Sequence, residues 1–104
     1  MTNDRHPVIP PLKTEDQARR LPAVAAIYAA ARESPRRGVM AEESLKFLLG
    51  ALHDGGVAMG GYDGQIAGWL SQWEPQVVAA VAGWVLRAHE AGLAAAETGE
   101  DDDG

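Results

Sequence analysis

MAEESLKFLLGALHDGGVAMGGYDGQIAGWLSQW, Met40 to Trp73, decides the fold, because it reads either as two helices with a joint between them or as a glycine loop around phosphate. Leu45, Leu48, Leu49 and Leu52 fall at i, i+3, i+4 and i+7, the spacing of a helix with one buried face. Ile66, Trp69, Leu70 and Trp73 repeat that spacing. Between the two lies DGGVAMGGYDG, Asp54 to Gly64, with five glycines. A phosphate loop needs G-x-x-x-x-G-K-[ST], with lysine for the terminal phosphates and a hydroxyl for magnesium. Gly55 and Gly60 have the glycine spacing, but Gly61 and Tyr62 stand where lysine and the hydroxyl belong, and Asp54 and Asp63 repel phosphate. The stretch is therefore read as a joint. Gly55 and Gly56 supply the positive φ of a helix end, Val57 and Met59 are expected to drop into the core, and Asp63 is expected to cap the next helix. Gly50, inside the first helix, is expected to permit a close helix contact.

Toward the N-terminus, Pro7, Pro10 and Pro11 mark residues 1–13 as an extended arm. Thr14 with Gln17 three residues on, and Glu15 and Asp16 in the first turn, open a short helix that Arg19 and Arg20 close. Pro22 suits the first position of a second helix, whose inward stripe is Val24, Ile27, Tyr28 and Ala31. Toward the C-terminus, Pro75 starts the longest helix, PQVVAAVAGWVLRAHEAG, with a stripe of Val77, Val78, Val81, Trp84, Val85 and Ala88 and an end at Gly92 and Leu93. The remainder, from Ala94 on, has no large apolar residue and five acids, and is expected to be disordered. The expected fold is thus all-α: a compact bundle of four to five helices over residues 14–93, an extended N-terminal arm at 1–13 and an acidic tail at 94–104.

The 104-residue chain is 46% apolar, but 19 of those residues are alanine, so the core is thin and extra burial in an oligomer or complex is expected. No cysteine is present, which removes disulfides and thiolate metal sites. No signal-peptide pattern and no long apolar run are read, so the expected location is the cytoplasm, with no membrane partner. The net charge of −6 is uneven: residues 1–46 carry eight basic and six acidic side chains, residues 47–104 one basic and nine acidic. The second half repels polyanions.

Catalytic patterns are missing. No serine lies in G-x-S-x-G, Glu42 and Glu43 are adjacent and face different directions on a helix, and His6, His53 and His89 have no metal-ligand spacing. A site assembled from His53, Asp54, His89 and Glu90 would need the fold to bring them together. The chain is therefore read as a non-enzyme, with no catalytic, cofactor-binding or metal residues, no cofactor and no small-molecule substrate. A helix-turn-helix reading of Leu45 to Leu70 gives the alternative, a nucleic-acid-binding accessory or regulatory protein contacting its target through Arg19, Arg20, Arg32, Arg36 and Arg37. Against it, the would-be recognition helix has no Arg or Lys, which disfavours nucleic acid as partner.

Trp69, Trp73 and Trp84 are expected to cluster in the core, with Trp73, at a helix end, exposed enough to anchor a partner. Ala80 and Gly83 lie on a small-residue flank that lets another helix approach, and these three are the candidate partner-binding residues. The expected function is a protein-protein interaction module, binding a protein partner or itself. The segment GYDGQIAGWLSQWEPQVVAAVAGWVLRAHEAGLAAA, Gly61 to Ala96, resembles small helical proteins of high-GC actinobacteria and their phages, in the Tyr62–Asp63 helix start, Trp69–Leu70 and the WEP of Trp73 to Pro75. That resemblance implies a source and a helical fold, and it brings no activity with it.

Overall fold

Thr14 begins the helical part as its sequence requires: the side-chain Oγ1 accepts from the Gln17 backbone N–H at 3.1 Å, and α1 (Glu15–Arg19) follows. Leu21 is extended ahead of Pro22, which occupies the first turn of α2 (Pro22–Glu33). Gly38, at φ +85°, turns the chain into α3 (Val39–Asp54), α4 (Gly61–Leu70) comes after the joint, and α5 (Pro75–Thr98) is the longest element. The computed structural model describes residues 9–34 and 36–98, and these residues form the five helices and no strand.

The joint is built as a helix end. Gly56, at φ +75°, donates to the His53 carbonyl at 3.0 Å and Val57 donates to the Leu52 carbonyl at 2.9 Å, the paired bonds of a Schellman motif. The reading of Asp54 to Gly64 as punctuation therefore has its hydrogen bonds. Three details differ from expectation. Gly55 has φ −81°, so Gly56 alone supplies the positive φ of this helix end. Asp63 does not precede α4 but sits in its first turn, where its carboxylate accepts from the Gly60 N–H at 2.9 Å. Val57 and Met59 are exposed, since the chain leaves α3 outward once its last carbonyls are satisfied.

α5 is the organising helix. It packs chiefly along α3 and also meets α2 and α1, while α4 rests on α3. Val78, Ala79, Ala82 and Leu86 form its inward side, facing a core that includes Val24, Ile27, Leu48 and Ala51. These are mostly small residues, which let the backbones approach closely at the cost of little buried area. Gln76 is a buried polar tie: the Tyr28 hydroxyl donates to its Oε1 at 2.7 Å and its Nε2 donates to Glu15 Oε2 at 2.8 Å, joining α1, α2 and α5.

The inward faces differ from those the large apolar residues suggest. On α3 they are Val39, Ser44, Leu48 and Ala51, with Leu45 and Leu52 partly buried and Leu49 exposed. The helix is turned so that its narrow serine and alanine side meets its neighbours. Gly50 sits on the open side with nothing near the position of a β-carbon, so it permits no close contact. On α4 only Ala67 is buried and Ile66 and Trp69 are exposed; the helix ends at Leu70, so Trp73 falls in the turn before α5 and is exposed as well.

The two ends also differ. Of the arm, Ile9 is buried, and its carbonyl accepts from Arg87 Nη1 at 2.9 Å, so this part is bound to α5. Residues 1–8 lie outside the described residues. α5 does not stop at Leu93 but continues through Ala94 to Thr98, because the alanines there are strong helix formers and Gly92 alone does not end the helix. Residues 99–104 of the expected tail lie outside the described residues.

Candidate protein interface

At 100° per residue, α5 carries two stripes. One, Val78, Ala82 and Leu86, is the buried side already described. The other runs through Val77, Ala80, Val81, Trp84, Ala88 and Ala91, with Ala80 and Val81 half-buried and the rest exposed. No charged side chain interrupts this outward stripe, and its one polar atom is the indole N–H of Trp84. Arg87 falls on a different side, where it reaches the Ile9 carbonyl, and His89 and Glu90 fall nearer the core side. A surface helix ordinarily puts its polar residues outward, so α5 is apolar where water should favour charge.

All three tryptophans lie on the surface: Trp69 is 56% exposed, Trp73 53%, Trp84 61%, and Tyr62 on α4 is 72% exposed. The expected indole core does not form. Trp69 and Trp73 meet edge to face, with ring centroids 5.9 Å apart. Next to α4, Val57, Met59, Tyr62 and Ile66 join Leu52 and Val81 around a shallow apolar groove.

The candidate partner-binding residues separate. Trp73 is exposed as expected, and Ala80 lies at the edge of the outward stripe, next to a second groove that it lines with Leu12 and Val77. Gly83 is buried on the other side, where a β-carbon would lie 3.0 Å from Ile9 Cγ2, so the small flank at Gly83 is filled by the arm of the same chain.

The arginines of the nucleic-acid alternative are largely engaged with carboxylates. Arg19 pairs with Glu15 at 3.0 Å, Arg36 with Glu42 at 2.9 Å, and Arg20 with Asp16. Arg32 and Arg37 are exposed. The Gln76 hydrogen bond, and then Arg19, hold the Glu15 carboxyl below its usual value; Arg36 does the same to Glu42. The partner cations are correspondingly raised, Arg19 by Glu15 and Arg36 by Glu42. These pairs use up charge that phosphate would need.

The His53, Asp54, His89 and Glu90 assembly is not made into a metal site: among the described residues no group of three His, Asp or Glu side chains is placed to hold an ion. By length and mean hydropathy alone Pro75–Ala95 passes as a helix that could cross a membrane, although Arg87, His89 and Glu90 interrupt its apolar run.

Sequence reasoning missed Val77, Trp84, Ala88 and Ala91 as a surface. The signal was present, since two apolar stripes on one helix cannot both face one core. Comparison with known protein families, curated proteins and solved structures finds no match.

Proposed function

We propose that the chain is a non-enzymatic docking module that binds protein through the outward stripe of α5 and the exposed tryptophans. The observation that carries this reading is the placement of Trp69, Trp73 and Trp84 outside the core of a protein poor in large buried side chains. Tryptophan is costly to leave in water and is the residue type most enriched among interface anchors. An uncharged stripe beside them favours a partner surface that is apolar and helical. The net charge of −6 and the carboxylate-paired arginines weigh against a nucleic-acid partner.

A photo-crosslinking residue placed at position 84 tests the reading in cells that make the protein. Irradiation is expected to give discrete protein adducts that the same residue at position 37, on the charged surface, does not give. Equal patterns from the two positions, or adducts to nucleic acid alone, would overturn it.

A further inference from the structure

We infer that the side of α5 formed by Gln76, Ala80, Gly83 and Arg87 is a recognition site for an extended aliphatic-Pro-Pro-aliphatic segment. In this chain its own arm, Ile9 to Leu12, occupies the site, and a partner protein carrying such a segment binds by displacing the arm. The site adjoins the outward stripe of α5 but does not depend on the docking reading above.

Two prolines set the shape of the occupant. Pro10 and Pro11 fix their own φ and disfavour helical geometry at the residue before each, so Ile9 and Pro10 are held extended. In a polyproline helix three residues make one turn, which puts Ile9 and Leu12 on the same side. Burial follows that period: Ile9 is buried, Pro10 and Pro11 are exposed, and Leu12 is half-buried. Three polyproline steps advance the chain about 9 Å, which is also the rise of α5 between Gly83 and Val77. The arm thus lies on the bundle as a bound peptide lies in its groove, anchored by two side chains of one edge.

The receiving surface is built for it. Gln76, Ala80, Gly83 and Arg87 recur at i, i+4, i+7 and i+11, so they line one side of α5, with small residues between two hydrogen-bonding ones. Gly83 is the notch: a β-carbon there would stand 3.0 Å from Ile9 Cγ2 and 3.3 Å from Ile9 Cβ. One turn on, Arg87 Nη1 donates to the Ile9 carbonyl at 2.9 Å. The notch selects an aliphatic side chain, and the guanidinium selects a backbone oxygen just after it. Neither contact needs the segment to belong to the same chain. The prolines bring no N–H groups that would require partners.

The arm leaves part of the surface unfilled. After Leu12 the chain turns through Lys13 and Thr14 into α1, and a groove of about 450 Å³ stays open between Leu12, Ala18, Val77 and Ala80. A partner segment that runs straight on has room there for a further apolar side chain. That contact is what offsets the advantage of the arm, whose tether gives it a high effective concentration. The arm is tied to α5 by one side chain in the notch, one hydrogen bond and a half-buried leucine, a set small enough to open locally while the bundle stays folded.

The test uses the full chain, isotopically labelled, and the blocked peptide VIPPLK, which repeats residues 8–13. Ile9→Ser takes the side chain out of the notch and is expected to move the Gly83 and Arg87 amide resonances. Millimolar VIPPLK is expected to return them toward their parent positions, and VAPPLK is expected not to. The parent chain, whose arm competes, is expected to bind VIPPLK about tenfold more weakly than the Ile9→Ser chain. Adding Gly83→Ala to Ile9→Ser fills the notch with a good helix former and is expected to abolish the recovery. No recovery with VIPPLK, equal recovery with VAPPLK, or full recovery with Gly83→Ala present would overturn the inference and leave the arm as a plain structural tie. If Ile9→Ser fails to fold, the peptide VIPPLAL, whose last leucine reaches the open groove, is titrated into the parent chain. Movement of the Ile9, Ala80 and Arg87 resonances that VAPPLAL does not cause supports displacement; resonances that stay in place overturn it.

Discussion

Leu48 and Leu49 are neighbours in sequence and face opposite environments: Leu48 is 2% exposed and Leu49 40%. Truncating Leu48 removes methyl groups packed against Val78 and Ala82 of the same cluster and leaves a cavity that a thin core closes poorly. Leu48→Ala is therefore expected to cost about 2 to 5 kcal/mol in urea denaturation. Leu49→Ala is expected to cost about 1 kcal/mol or less, since most of its contact is with water. Equal losses at the two positions would mean that α3 is rotated from the orientation described. The pair also shows what periodicity can and cannot reveal. Both leucines fit a helical spacing, and the spacing alone does not say which edge of a broad apolar face is central. Ser44 and Ala51 decided that, because small side chains permit the closest approach, and small residues leave a weak mark on any hydrophobic pattern.

Among the elements, α4 differs most from its neighbours. Its ten residues include Gly61, Gly64 and Gly68, it buries only Ala67, and it rests mainly on α3. Glycine inside a helix costs about 1 kcal/mol relative to alanine, so α4 is weak by its own composition as well as by its packing. Its amides are expected to exchange hydrogen faster than those of α3 and of the buried part of α5. A β-carbon at Gly64 or Gly68 would meet nothing within 4 Å. Gly64→Ala and Gly68→Ala should therefore each slow exchange in α4, by about fivefold if the full propensity difference is realised. Exchange in α4 already as slow as in α3, or no change in the variants, would contradict this account. The helix boundaries at Thr14 with Gln17, at Pro22, at Pro75 and at the Gly55–Gly56 end were legible in the sequence because their causes act within one turn, whereas the start of α4 and the end of α5 were not. The exposure of Trp73 was legible from its place at a helix end; that of Trp69 was not, because it depends on how far α4 stands from α5, which nothing local to α4 sets.

For the molecule as a whole, one carboxylate connects three helices, and acid should find it. Glu15 on α1 accepts from Gln76 of α5, which in turn accepts from Tyr28 of α2. The Gln76 bond, followed by Arg19, lowers the folded-state value of Glu15 below the usual 4.5. A depressed value means that the folded protein resists protonation more than the unfolded chain does. The resulting stabilisation is complete above about pH 4.5 and is lost as the pH falls further through the folded-state value. Glu42, lowered by Arg36, acts in the same direction and the same window. A second effect opposes both, because neutralising carboxylates relieves the self-repulsion of a chain with net charge −6. The raw pH profile mixes the two, and the comparison with Glu15→Gln separates them. The amide keeps an acceptor for Gln76 but has no proton to gain, while the remaining acids of the chain still titrate. Urea midpoints of the variant and the parent chain are thus expected to run parallel from pH 7 down to about 5 and then to converge as the parent loses its advantage. Profiles that stay parallel to pH 3 would show that the Glu15–Gln76 tie does not form in solution.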